Sequence, residues 1–150
     1  MKTKIFAASA LALSLAACAT IEEGVAEALS ETHYATLTGA NVPGGGDRDG
    51  YGQAEISVSD EAGQVCHDLN DLRGLGTITG AHIHRGAPGT NGPVVFTLRE
   101  ANEGGYKGCT DASEFLQEFL EGSPGAFYVQ VHTSDYPNGA IRGQLTNRDG

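Results

Sequence analysis

Apolar and polar residues alternate along most of this chain, and this period of two constrains its fold more than any other feature. The clearest case is the stretch GQAEISVSD, in which Ala54, Ile56 and Val58 would face one side of a strand and the residues between them the other. Similar stretches are TITGAHIH, GPVVFTL, AFYVQVHT and AIRGQL, each bounded by Gly, Pro or Asn. The pattern predicts short β-strands that each bury one face.

The turn residues and one exceptional segment complete the predicted architecture. The chain of 150 residues contains 22 glycines and no tryptophan, which favours strands joined by tight turns over a helical bundle. The segment TDASEFLQEFLEGSPG instead has an apolar stripe of helical period, with Asp111 as the predicted N-cap, Glu114 completing a capping box and Gly122 at the end. We therefore expect an all-β fold, an antiparallel Greek-key sandwich or barrel of about seven or eight strands with one short helix.

The N-terminus, residues 1–17, has the features of a lipoprotein signal peptide. Lys2 and Lys4 precede an apolar run that ends at Cys18 and is too short to span a bilayer. The small residues directly before Cys18 resemble the bacterial lipobox, in which the cysteine is lipidated and becomes the new N-terminus. An ordinary cleavage site with an unmodified cysteine is the alternative.

The prediction divides the chain into the signal peptide, a lipid-anchored tether at residues 18–31 and a folded domain at residues 32–150. The tether is small, acidic and without a strand pattern, and a short, marginal helix is the alternative for it. The expected location is the cell envelope, with the lipid as the contact to the membrane. Ala19 follows the cysteine, which favours the outer membrane, on its periplasmic or surface side, in a cell that has two membranes.

Charge excludes some partners. The full chain has a formal net charge of −10, and cleavage would remove two lysines and make the mature chain still more acidic. A strongly negative surface repels nucleic acid and anionic lipid, whereas it tolerates cations and basic proteins. We therefore expect no nucleic-acid partner, and the sequence identifies no protein partner.

Two cysteines remain if Cys18 carries lipid. Cys66 and Cys109 are then an even pair, and such a pair in an oxidising compartment usually forms a disulfide. The bond would close a loop of about forty residues and stabilise the fold by roughly 3 to 4 kcal/mol in the chain-entropy model. A pair of thiolate metal ligands or a redox couple is the alternative, which the absence of a CxxC motif disfavours.

The stretch AHIHRG carries the strongest candidate for chemistry. His82 and His84 are two residues apart on a predicted strand, so both imidazoles would point to the same face. His132 in YVQVHT would be a third ligand if its strand lies close by. Three imidazole nitrogens suit copper or zinc and leave an open position for water or a small ligand. The alternative is that these histidines form hydrogen bonds with the backbone and with polar neighbours, and hold loops in place.

Other polar residues have simpler explanations. His67 lies in an apolar alternation, which predicts a core or partly exposed histidine. Asp47 and Asp49 lack the remaining ligands of a calcium loop and predict a β-turn stabilised by Asx side chains. Arg142 is expected in a structural salt bridge, with Asp135 or with the C-terminal carboxylates.

The chain resembles the chordin-type domain, a module of the extracellular inhibitor chordin that also occurs in bacterial exported proteins. The matching stretches are LTGANVP, GYGQAEISV, GAHIHRGAPGTNGPVVFTL, FYVQVHT and GAIRGQL, in family order, from about Thr32 to Leu145. The resemblance implies a disulfide between Cys66 and Cys109, and the three histidines named above match histidines of the family. The segment CHDLNDLRGL is one residue longer than is usual here, which leaves its register open.

The resemblance implies a fold more than an activity, since bacterial members are largely without an assigned function. The first hypothesis is an exported, lipid-anchored binding protein, not an enzyme, that holds copper, or zinc as second choice, at the three histidines. The second is a redox metalloenzyme resembling copper/zinc superoxide dismutase at the same site, an analogy of fold alone. The third is a structural or adhesive envelope module without metal. No nucleophile elbow and no evident carboxylate pair occur in the sequence, so no catalytic residue is predicted.

Overall fold

The computed structural model describes residues 31–59, 61–102 and 105–147. The predicted signal peptide, Cys18 and almost all of the predicted tether lie outside the described residues. Glu31, at the end of that predicted tether, already belongs to the first strand. The part of the chain that the structure describes contains no helix long and apolar enough to cross a membrane.

Eight antiparallel strands form one sheet that curls into a nearly closed barrel. The prediction of an all-β Greek-key barrel with about seven or eight strands and one short helix is therefore confirmed. The strands are β1 (Glu31–Thr38), β2 (Tyr51–Ser59), β3 (Gln64–Arg73), β4 (Ile78–Arg85), β5 (Val94–Leu98), β6 (Tyr106–Asp111), β7 (Phe127–Thr133) and β8 (Ile141–Gln144). Their order in the sheet is β5-β4-β7-β8-β1-β2-β3-β6, so β5 and β6 are its edges.

The alternation in the sequence separates the inside of the barrel from its outside. Ala54, Ile56 and Val58 are all buried on the inner face of β2, as predicted. Burial of such side chains contributes about 25 cal/mol for each Å² of apolar surface removed from water. The other strands complete the core with Ala35, Leu37, Val65, Leu69, Ala81, Ile83, Leu98, Tyr106, Phe127, Val129, Val131 and Ile141.

Helix α1 (Glu114–Gly122) packs against β2, and its buried Leu116 and Leu120 join the core. The helix is confirmed, but the predicted N-cap at Asp111 is wrong. Asp111 is held in β6 by antiparallel pairing with β3. Ser113 precedes the helix instead, and its Oγ accepts a hydrogen bond of 3.3 Å from the Leu116 amide.

The extra residue in CHDLNDLRGL is accommodated by an irregularity near the end of β3. Gln53 pairs with Asn70, and the next pair is Tyr51 with Arg73. Between these two pairs β3 contains one residue more than β2. Asp71 lies between the two pairs and has a φ of 49°, in the left-handed region. The register through the buried centre of β3 is therefore undisturbed.

The two predicted disulfide cysteines lie directly opposite each other in β3 and β6. A disulfide joins Cys66 and Cys109, whose Cα atoms are 3.9 Å apart. This prediction is confirmed. Because β6 is an edge strand and pairs only with β3, the bond fastens one edge of the sheet covalently.

Two histidines lie inside the barrel. His67 is 3% exposed and its Nε2 lies 2.9 Å from the Arg99 carbonyl oxygen, which confirms its interpretation as a core histidine. His33 is fully buried, with its Nδ1 3.0 Å from Oδ1 of Asn147. Neither ring belongs to the group formed by His82, His84 and His132, which lies on the outer face of the barrel.

The segment with Asp47 and Asp49 forms the predicted Asx-stabilised turn. The Asp49 amide donates to Oδ1 of Asp47 at 3.1 Å, and the Gly50 amide donates to the Asp47 carbonyl oxygen at 3.3 Å. One carboxylate oxygen of this pair is thus used inside the turn, as local Asx bonding predicts.

Candidate metal centre

Neighbouring strands β4 and β7 bring the three predicted histidines together on the outer face of the barrel. Gly80 lies opposite His132, and His82 and His84 follow Gly80 at intervals of two residues on the same face. The ring centroids of His82 and His132 are 5.1 Å apart. The ring centroid of His84 lies 5.9 Å from that of His82 and 6.1 Å from that of His132. One nitrogen from each ring lies within 4.8 Å of the other two. The expected convergence is thus present.

Backbone carbonyls orient two of the rings. Nδ1 of His84 lies 2.9 Å from the Gly92 carbonyl oxygen, and Nδ1 of His132 lies 2.9 Å from the Pro137 carbonyl oxygen. A carbonyl oxygen only accepts hydrogen bonds, so both Nδ1 atoms carry the proton. In the neutral imidazole the lone pair is then on Nε2. This arrangement is the usual support of a metal-binding histidine, whose other nitrogen donates to a fixed acceptor.

Three nitrogens of the group remain without a partner. Nε2 of His84, Nε2 of His132 and Nδ1 of His82 are buried and form no hydrogen bond in the structure. A buried polar atom left unsatisfied typically costs about 1 to 3 kcal/mol. A single ion held by one nitrogen of each ring fits the 4.8 Å spread of the group, and copper and zinc both take nitrogen ligands. The residues present therefore fit a transition metal.

The protonation state of the group also suits a cation. Burial lowers the pKa of His82, and the adjacent His132 and His84 lower it further. Burial likewise lowers the pKa of His84; the hydrogen bond to Gly92 opposes this effect, while His132 and Arg142 add to it. Because a metal binds neutral imidazole, the lowered pKa values keep His82 and His84 available as ligands below the ordinary range of histidine.

A layer of polar side chains on the same outer face holds the loop between β4 and β5, residues 86–93. The Tyr128 hydroxyl accepts a hydrogen bond of 3.0 Å from the Gly92 amide, and its ring stacks on His84 with centroids 4.8 Å apart. Nε2 of Gln144 donates to the Gly86 carbonyl oxygen at 2.8 Å. The alternation of FYVQVHT places Tyr128 on the face of His132, but the spacing does not reveal that it supports a loop.

Arg142 is the main correction at this site. The residue is 1% exposed. Its guanidinium donates to the carbonyl oxygens of Thr90 at 2.7 Å and Ala87 at 3.1 Å and lies 3.3 Å from the ring centroid of Tyr128. The predicted salt bridge with Asp135 is wrong, because β8 directs this side chain beneath the loop of residues 86–93. The C-terminal carboxylates lie outside the described residues.

Replacing Gly92 should weaken metal binding from outside the ligand set. A Cβ at this position would overlap the carbonyl oxygen of Arg85, so Gly92→Ala must shift the carbonyl that orients His84. Loss of such support typically lowers metal affinity by about 10- to 100-fold. Competition with a chromophoric chelator measures the effect, with the exposed neighbour Asn91→Ala as control. Equal affinities of the two variants would contradict this role of the glycine.

The metal-free protein is expected to lose stability as the pH falls below about 6.5. Burial lowers the pKa values of His33, His82 and His84 from the ordinary value of 6.5. Between that value and the lower pKa values of the folded state, the unfolded chain binds more protons, so the free energy of unfolding rises with pH. Above the ordinary histidine pKa, these three residues should cause no further change in the free energy of unfolding. Urea unfolding at several pH values tests this, and His82→Ala should show a shallower slope. A wild-type stability independent of pH from about 7 down to 5.5 would refute the linkage.

Comparison with known proteins assigns the chain to a family. The model of the CHRD domain family matches residues 33–145, which include all eight strands in whole or in part and all three histidines of the outer face. Neither a curated protein nor a solved structure matches the chain. The match covers well over half of the 150 residues, and the chain belongs to the CHRD domain family.

Proposed function

We propose that this protein is an exported, lipid-anchored binding protein of the cell envelope that holds one transition-metal ion, copper in first place and zinc in second, at His82, His84 and His132. One observation carries the metal site. His82, His84 and His132 each offer a ligand nitrogen within 4.8 Å of the other two, and each ring has a buried nitrogen without a hydrogen-bond partner. Their number and type match the protein ligands of metal centres that keep one position open.

The donor set favours copper or zinc over the alkaline-earth ions. Imidazole nitrogen suits copper and zinc, whereas calcium and magnesium take oxygen ligands. Two of the rings are already held in the tautomer that presents Nε2, because the carbonyl groups of Gly92 and Pro137 accept from Nδ1. The site is therefore organised before the ion arrives, which removes part of the entropy that binding would otherwise lose.

A purely structural role explains only half of the arrangement. Hydrogen bonds to Gly92 and Pro137 show that His84 and His132 each hold a loop through Nδ1. This role makes no use of their Nε2 atoms or of Nδ1 of His82, each of which is buried without a hydrogen-bond partner. The metal hypothesis uses both sets of nitrogens and is preferred for that reason.

Metal retention tests the proposal. The wild type, with its disulfide intact, is loaded with copper or zinc, dialysed and analysed for metal beside a His82→Ala, His84→Ala double variant. Thr97→Ala is the matched control, because Thr97 is exposed and lies opposite His82 in β5. We expect about one ion in the wild type and the control and none in the double variant. If the double variant retains as much metal as the wild type, the proposed metal site is wrong.

Activity assays of the metal-loaded protein distinguish a metal-binding protein from a redox enzyme. A superoxide or peroxide assay of the metal-loaded protein should show no rate above that of the free ion if the protein only binds metal. A faster rate that disappears in the double variant would favour the redox enzyme instead.

The lipid anchor has an independent test. Cys18→Ser removes the sulfur that would carry the lipid, so the full-length protein should leave the membrane fraction and appear in the soluble fraction. An unchanged distribution would overturn the anchor and leave the metal site unaffected.

A further inference from the structure

We propose that Arg142 makes the candidate metal centre selective for a singly charged ion, so that copper is held as Cu(I) in preference to Cu(II) or Zn(II). The inference rests on the proposed metal site and names the charge of the ion that the site selects. It follows from the surroundings of Arg142 and from the path between its guanidinium and the histidines.

The positive charge of Arg142 is buried without a counter-ion among the described residues. The side chain is 1% exposed, and its hydrogen-bond partners are the backbone carbonyl oxygens of Thr90 and Ala87. The ion pairs Arg73–Asp71 and Lys107–Asp68 do not involve this guanidinium, and no carboxylate of residues 31–59, 61–102 and 105–147 forms a salt bridge with it. A buried cation that no carboxylate neutralises acts on its surroundings with less screening by solvent than an exposed one.

A stack of side chains connects this charge to a metal ligand. The guanidinium carbon lies 3.3 Å from the ring centroid of Tyr128, and on the same ring His84 stacks with centroids 4.8 Å apart and planes inclined by 9°. The Tyr128 ring thus contacts both the buried charge and the metal ligand.

The same field acts on a metal ion bound to His84. Coulomb repulsion scales with the charge of the ion, so a divalent ion loses about twice as much binding free energy as a monovalent one. The three imidazole ligands are neutral and supply no negative charge to offset the repulsion. The charge of Arg142 therefore favours the singly charged ion.

Two substitutions at one position separate the charge from the structural role. Arg142→Gln and Arg142→Lys both lose the forked hydrogen bonds to the loop, but only Arg142→Gln loses the charge. Affinities for Cu(I) and Zn(II) are measured by competition with chelators, and the midpoint potential of bound copper by spectroelectrochemistry. In Arg142→Gln the ratio of Cu(I) to Zn(II) affinity should fall by about tenfold, and the potential by about 59 mV, while Arg142→Lys should keep the wild-type ratio.

The outcomes distinguish this inference from the proposed function. A wild type that binds neither Cu(I) nor Zn(II) removes the metal site itself. If the wild type binds metal and Arg142→Gln lowers both affinities equally, Arg142 is only structural and the inference is wrong. Should Arg142→Gln not fold, Thr90→Asp adds a carboxylate at an exposed position whose carbonyl already accepts from Arg142. That variant should shift the ratio in the same direction, and an unchanged ratio would also overturn the inference.

Discussion

Excess copper should raise the free energy of unfolding of the wild-type protein and leave that of the His82→Ala, His84→Ala variant unchanged. An ion that binds only the folded state adds RT ln(1 + [L]/Kd), which is about 4 kcal/mol at a free concentration of 1,000 Kd. The double variant retains only one of the three converging nitrogens, so it should show no metal-dependent gain. Urea unfolding with and without the ion measures this difference.

Each protein serves as its own metal-free reference in this experiment. This matters because His84→Ala also removes the ring stacked on Tyr128 and the hydrogen bond to Gly92, and so changes stability without any metal. Thr97→Ala should gain as much stability from copper as the wild type does. An equal gain in the double variant would show that copper binds elsewhere, and the three-histidine site would be abandoned.

The second large effect concerns the disulfide. A Cys66→Ala, Cys109→Ala variant should lose about 4 kcal/mol of unfolding free energy, because the bond closes a loop between residues 43 positions apart and its removal returns that entropy to the unfolded chain. Denaturant unfolding under oxidising conditions measures the loss. The reduced wild type should behave like the variant, whereas a difference of less than about 1 kcal/mol from the oxidised wild type would contradict the prediction.

Metal binding should survive the loss of the disulfide under conditions where the variant stays folded. The bond joins β3 to β6, whereas the histidines lie on β4 and β7, and neither of these strands pairs with β3 or β6. Equal metal affinities of the oxidised wild type and the cysteine variant would show that the two features are independent. A parallel loss of affinity would instead show that the edge of the sheet supports the metal ligands.

Local pattern predicted the strands and the inner face of the barrel. Ala54, Ile56 and Val58 are buried because a strand directs alternate side chains to one face, a rule that needs no knowledge of the neighbouring strands. This rule could not predict that Asp111 belongs to strand β6 and is not the N-cap of the helix. Pairing with β3 extends β6 through that residue, and such pairing outweighs a local capping preference.

The sequence alone determined the alternation, the turns, the cysteine pair and the shared face of His82 and His84, because each depends on residues close in the chain or on parity along one strand. Only the tertiary structure decided that His132 reaches them, since β4 and β7 become neighbours through the sheet order. It also decided the position of Arg142. A long side chain ends several ångströms from its backbone, and only packing determined that it would lie on Tyr128 beneath a loop instead of pairing with Asp135. Strand parity is a local property, whereas the meeting of distant side chains depends on how the barrel closes.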